Sequence, residues 1–322
     1  MTNNSYDDRV EFVNGNYHSL VKSRKPKDID DKKAYIVGTG LAALAAGGFL
    51  VKDAHMKAEN ITFLEQLELP GGCLDGDYKP ELNGYVARGG REMGHHFEVL
   101  WDLYSAVPSA ENPEEESILD HFFYTNLDDP NYSKCRIIHN NGERYDNEQF
   151  NLSDKALKEI MELTQTADEK LQGKQINEIF SDETLNSDFW ILWRSMFAFQ
   201  NWNSALEMKL YLNRFIHHVG GLPTLSALQF TQYDQYESIV KPIVKWLEDQ
   251  GAKFEYGVTV KDVDFDITDD KKVATKLVME NSDGEDKSID LSENDLVFIT
   301  NGSMTESTVY GCLLYTSDAA DE

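Results

Sequence analysis

With 57 acidic against 30 basic side chains, the 322-residue chain carries a formal charge of −27, and its pI is near 4.6. No basic patch is available to neutralise phosphates, which argues against nucleic acid as a partner, and an anionic membrane would repel the chain as a whole unless a local basic or apolar patch overcame that. A hydrophobic content of 41% with 11% aromatics is enough for two globular domains with sizeable cores.

Residues 1–33 are polar and charged and read as an N-terminal arm; no signal-peptide pattern opens the chain, so a cytoplasmic protein is the default expectation. Ala34–Val37 is a short apolar strand, followed by Gly38-Thr39-Gly40-Leu41-Ala42-Ala43, a G-x-G-x-x-A sequence that opens a helix. In a dinucleotide-binding unit Gly38 permits the sharp turn, Gly40 lets a pyrophosphate reach the backbone, and Ala43 lets helix and strand pack closely. The phosphates would sit at the helix N-terminus. An ordinary glycine-bearing core segment is the alternative reading. A membrane span over residues 34–51 fails on composition, because four glycines and many alanines carry little transfer energy. A second strand, Ile61–Leu64, ends on Glu65, at the distance where an acidic side chain takes ribose hydroxyls. Pro70-Gly71-Gly72 supplies another tight turn.

Beyond it, residues 74–93 show turn chemistry throughout. A helix is predicted from about His95 to Ala106, with Phe97, Leu100, Trp101 and Tyr104 on one face. Residues 107–150 read as acidic loops alternating with short strand candidates such as Cys135–His139, with Asn140-Asn141-Gly142 a hairpin turn. Ser153 is placed to cap a helix carrying Ala156, Leu157, Ile160 and Leu163. A second helical region spans about 187–219, and an amphipathic helix within Phe230–Gly251 ends on Gly251. Strands follow at Lys253–Tyr256, Val258–Phe265, Thr275–Met279 and Leu296–Thr300, with an acidic turn at Asn281–Glu285. This order predicts an α/β fold: a nucleotide-binding domain (34–150 and 251–311) interrupted by a mainly helical domain (151–250). Residues 312–322 continue no pattern and read as an unrelated tail on a truncated chain.

Cys73, Cys135 and Cys312 are scattered without C-x-x-C spacing, so neither a disulfide framework nor a zinc site is indicated. The pairs His95-His96 and His217-His218 invite a metal reading, but adjacent residues on a helix point apart and no i, i+4 set completes a site. No metal is expected.

GTGLAA, LEQLELPGG and the strands around Val258–Val263 have the layout of flavoproteins related to amine oxidases and carotene desaturases. Over residues 11–311 the chain resembles more closely the oleate hydratases, also called myosin-cross-reactive antigens. The motifs are YIVGTGLAALAAG, GGCLDG, ARGGREMGHHFEVLWDLY, DDPNYSKCRII, FWILWRSMFAFQNWNSALEMKLYLNRFIHHVGGL and DLVFITNGSMTEST, in one order. The family pattern continues for a long C-terminal stretch beyond this sequence.

The resemblance implies a split Rossmann-like FAD-binding domain with an inserted substrate domain, and addition of water to the cis-9 double bond of oleate to give 10-hydroxystearate. Gly38, Gly40, Leu41, Ala42 and Ala43 are implied at the pyrophosphate and Glu65 at the ribose. Gly71 and Gly72 are implied in the cofactor site, Gly89, Gly90 and Arg91 near the isoalloxazine, Val260 at the adenine, and Asn301 and Ser303 on the return to the cofactor. Glu92 matches the water-activating carboxylate and Tyr211 the proton donor. Without the family, Glu92 reads more readily as a solvated or N-terminal helix charge, and Tyr211 with Phe215 at i+4 as core packing. The implied partners are an unsaturated fatty acid, a second copy of the full-length chain, and a membrane met peripherally through the missing C-terminal part. A redox flavoenzyme and a non-catalytic fatty-acid-binding flavoprotein are the rival readings.

Overall fold

Strand β1 (Ala34–Val37), helix α1 (Leu41–Lys52) and strand β2 (Ile61–Leu64) follow one another as the first strand-helix-strand unit. The structure, a computed structural model, describes residues 21–87, 91–133, 137–139, 142–145, 152–226 and 228–302. Next come the ribbon β3 (Gly76–Lys79) and β4 (Gly84–Ala87), helices α2 (Glu98–Tyr104) and α3 (Ile118–Asp128), and the hairpin β5 (Ile137–His139) and β6 (Glu143–Tyr145). A helical run holds α4 (Asp154–Gln165), α5 (Asp168–Leu171), α6 (Asp182–Leu185), α7 (Asp188–Phe197) and α8 (Ala205–Phe215). Helix α9 (Lys241–Asp249) leads into strands β7 (Lys253–Glu255), β8 (Val258–Ile267), β9 (Lys272–Asn281), β10 (Asp286–Asp290) and β11 (Leu296–Ile299).

Two compact units result. One takes the described residues up to Ala87, Glu98–Phe123 and those from Thr231 onward; the other takes Arg91–Phe97 and Tyr124–Phe230. In the first, β11, β1, β2 and β7 lie side by side, all parallel, with Ile36 opposite both Phe298 and Phe63. Continuous apolar runs rather than alternation suit such a sheet, because both faces are covered. Helix α1 comes close to β2 at Gly47, where a Cβ would run into the Phe63 ring, and close to α2 at Gly48, where one would come within 2.6 Å of Leu103. Phe63 in turn stacks on Phe254 of β7 with centroids 4.4 Å apart. Beside this sheet β8, β9 and β10 form an antiparallel meander, whose Val258, Val263, Leu277 and Met279 share a core with Leu64.

Four local expectations change. Helix α3 (Ile118–Asp128) lies within 107–150, a stretch read as acidic loops and short strands. Residues 74–93 are not turn throughout, since β3 and β4 pair as a ribbon with Tyr78 and Tyr85 packed edge to face at 5.5 Å. The helix predicted from His95 starts at Glu98, because residues 91–94 are drawn into an extended segment in which Met93 exchanges backbone hydrogen bonds with Gln229 (2.9 and 3.0 Å). Strand β10 is an addition, brought onto β9 by a turn in which Asn281 Oδ1 accepts from the N–H groups of Asp283 and Glu285.

The second unit is built on serine caps. Ser153, Ser187 and Ser204 accept from the N–H groups of Ala156, Trp190 and Glu207, opening α4, α7 and α8. Their apolar faces meet around the buried Leu163, Leu171, Phe189, Trp190, Trp193, Met208 and Leu212. Amphipathic α9, in the first unit, closes as expected, with Gly251 at φ +104° donating to the Glu248 carbonyl at 2.8 Å. Among the described residues no helix is long and apolar enough to cross a membrane.

Candidate functional site

The first candidate site is the meeting of two glycine turns at the end of β1. Gly38 adopts φ +99°, donates to the Leu64 carbonyl at 2.8 Å, and leaves only 2.8 Å between a built Cβ and Thr300 Oγ1. Thr300, just after β11, bonds the Val37 carbonyl through both its N–H (3.2 Å) and its hydroxyl (2.7 Å). Gly40 is different: it has φ −64°, and a Cβ there would meet nothing within 4 Å. No side chain caps α1, so open space stands before a helix N-terminus whose first N–H groups, at Leu41, Ala42 and Ala43, have no intrahelical acceptor. Ala43 is buried against the sheet while Ala42 is exposed.

The second turn closes on the first. Gly71 and Gly72 have φ +117° and +57°; Gly71 donates to the Thr39 carbonyl at 3.1 Å, and a Cβ on Gly72 would lie 3.1 Å from Gly40 Cα. The result is a cradle of bare backbone at a positive helix end, which fits a pyrophosphate.

Glu65 lies at the same place, only 9% exposed. Its Oε2 accepts from the Thr39 N–H (2.9 Å) and hydroxyl (2.5 Å), and its Oε1 from the Leu67 N–H (3.0 Å). The carboxylate therefore braces the glycine turn and keeps further lone pairs for a ribose hydroxyl. Thr39 and Thr300 were not singled out by sequence; the only signal was a hydroxyl inside each turn sequence. A cleft of about 630 Å³ in this unit is lined by Pro70, Tyr236, Trp246 and Tyr256, and burial pushes the Tyr256 hydroxyl up to about 12.

Other residues of the implied cofactor set are more scattered. Val260, on β8 opposite Met279 and next to a bulge, packs its half-buried side chain on the β8–β9 core. Asn301 is exposed directly after Thr300, and Arg91 is exposed in the second unit. Gly89, Gly90 and Ser303 lie outside the described residues.

The second candidate site lies in the helical unit, which contains both Glu92 and Tyr211. Met93 is buried, whereas the neighbouring Glu92 is exposed. Tyr211, on α8, is half-buried, its ring 5.1 Å from Phe199, 5.7 Å from Phe197 and 5.8 Å from Phe215. The packing role anticipated for that ring is real, and any chemical role belongs to its hydroxyl. One turn further along, Arg214 donates to the His96 carbonyl and lies over the Phe97 ring at 5.3 Å, which joins the Glu92 segment to the Tyr211 helix. The two histidine pairs, far apart in sequence, also meet: His96 packs edge-on against His217 at 4.4 Å. Among the described residues no group of three or more histidine, cysteine or carboxylate side chains could hold a metal ion.

Residues 31–320 match the model of the MCRA family. The chain is 48% identical over 301 residues to an oleate hydratase of Streptococcus pyogenes, covering 93% of this chain and 50% of that protein. It is 30% identical over 301 residues to a linoleate hydratase of Lactiplantibacillus plantarum, covering 87% and 52%. The chain thus spans about half the length of the curated relatives it matches. Among solved structures, a putrescine oxidase bound to putrescine is similar with a TM-score of 0.51 at 14% identity, covering 79% of this chain and 56% of that one. This is a likeness of fold.

Proposed function

The chain belongs to the MCRA family, and from that premise we propose that it is the flavin-binding and catalytic part of a fatty acid hydratase. The reaction is addition of water to the cis-9 double bond of oleate, giving 10-hydroxystearate. The observation that carries this reading is the 48% identity to an oleate hydratase across 93% of the chain.

Hydration balances without electrons: one alkene carbon gains a proton, the other gains the oxygen of water, and water's surplus proton is released. Protonating an isolated alkene builds carbocation character, so the site needs an acid on one side and a base beside the incoming water. Tyr211 is assigned the donated proton and Glu92 the proton taken from water. The cradle of Gly38, Gly40, Gly71 and Gly72 at the α1 N-terminus, braced by Glu65, is the place for the FAD pyrophosphate and ribose. The remaining cofactor assignments proposed are Leu41, Ala42, Ala43, Gly89, Gly90, Arg91, Val260, Asn301 and Ser303. When bound, FAD supplies geometry and electrostatics to a reaction without net redox change. The helical unit is assigned the acyl chain. A homodimer that touches the membrane peripherally belongs to the same reading.

The test uses the chain extended to the length of its curated relatives, incubated with oleate. A product heavier by one water, with no electron acceptor consumed, is the expected outcome. Consumption of an acceptor, or oleate bound without turnover, would overturn the hydratase reading.

A further inference from the structure

The segment that carries Glu92 contains no helix or strand of its own, yet it is held at several points. Met93 pairs with Gln229 through two backbone hydrogen bonds. Arg214 bonds the His96 carbonyl and covers the Phe97 ring. The His96 ring meets His217, whose own ring lies 4.1 Å from that of His218. His218 is 3% exposed, and its Nε2 occupies the place where a Cβ on Gly94 would stand. Gly94 has no left-handed φ, so room for the imidazole, rather than backbone freedom, accounts for a glycine two residues after Glu92. His218 is kept uncharged: burial, with His217, His95, His96 and Arg214 around it, pushes its pKa down to about 4. Tyr211 and Arg214 stand at i and i+3 on α8, and His218 lies in the 3-10 turn that follows directly, Ile216–Gly221.

We propose that Arg214, His217 and His218 are positioning residues that clamp the Glu92 segment, through Gly94 and His96, onto the carboxyl end of the Tyr211 helix. The part of this concerning catalysis rests on the hydratase reading. The clamp makes the placement of the base relative to the acid a property of one helix end, and a misplacement of about 1 Å there is enough to slow a reaction about 10²-fold.

Gly94→Ala tests it by putting a methyl group into the His218 ring. Backbone amides of residues 92–97, followed by hydrogen exchange in the chain as it stands, should exchange about tenfold faster, an opening of the kind local unfolding produces. In the extended chain the variant should lose kcat for oleate hydration while KM changes little. Adding His218→Ala removes the obstruction, so the double variant should recover in both readouts, a non-additive result that simple loss of stability does not give. Arg214→Lys, which keeps a donor for the His96 carbonyl, should be milder than Arg214→Met. If Gly94→Ala folds poorly, the Arg214 pair carries the same test. Unchanged exchange in Gly94→Ala and Arg214→Met, or a double variant no better than Gly94→Ala, would overturn the clamp. Failure of the parent protein to hydrate oleate would instead sink the hydratase reading, since the exchange result does not depend on activity.

Discussion

Gly38 and Gly40 are two residues apart and require glycine for different reasons. Gly38 has φ +99° and Thr300 Oγ1 2.8 Å from a built Cβ, so Gly38→Ala should lower folding stability by about 1–3 kcal/mol. Gly40 has ordinary φ and open space, so Gly40→Val should leave the melting temperature nearly unchanged yet abolish binding of yellow flavin. Melting curves and flavin absorbance on the two variants check this; flavin retained at full stoichiometry by Gly40→Val would remove the cradle from the cofactor site. At the second site, Glu92→Gln in the extended chain should keep the fold and fatty-acid binding while hydration falls about 10²–10⁴-fold, the usual weight of a general base. Tyr211→Phe keeps the ring contacts with Phe197, Phe199 and Phe215 and should lose rate on a similar scale, again about 10²–10⁴-fold. Because acid and base act on one transition state, the double variant should lose less than the product of the two. Losses that simply multiplied would argue that the two residues act separately.

At the scale of elements, the contact between α1 and β2 is set by Gly47 beneath the Phe63 ring, itself locked by its stack on Phe254. Gly47→Ala gains up to about 1 kcal/mol of helix propensity. It also forces an overpacked contact that costs about 1–3 kcal/mol, so the variant should unfold at lower urea; a higher midpoint would show that the helix has room to move. The reading of Ala43 as the close-packing residue described only part of this contact, because which helix positions touch a strand depends on crossing geometry and not on the G-x-G-x-x-A spacing. Caps were legible where local chemistry decides them: Ser153 stands directly before the periodic Ala156, Ile160 and Leu163 and does cap α4. The β3–β4 ribbon was not, since its residues alternate weakly and pair through a turn at Asn83, a left-handed position filled by a residue other than glycine. The start of α2 was hidden for another reason: Gln229, far along the chain, takes Met93 into an extended pair.

On the scale of the whole molecule, 57 acidic against 30 basic side chains leave a formal charge of −27, and folding brings those charges together. Raising ionic strength from about 0.01 M to 0.15 M shortens the screening length from about 30 Å to about 8 Å. The melting temperature should therefore rise with sodium chloride over that range, and a flat or falling curve would show that local ion pairs outweigh the net repulsion. The sequence by itself determined the strand-turn-helix-strand unit at Gly38, the Ser153-capped helix with the helical region after it, and the return of Leu296–Ile299 to the first sheet. These rest on period, turn chemistry and caps, which act over a few residues, and on a family resemblance carried by many motifs in order. Only the tertiary structure decided that Thr39 and Leu67 hold Glu65, that Thr300 closes on Gly38, and that His95-His96 and His217-His218 come together with Gly94 beneath His218. Apart from the Leu67 N–H, two residues from Glu65, these contacts join groups far apart in the chain, so the packing that creates them is also the first thing that reveals them.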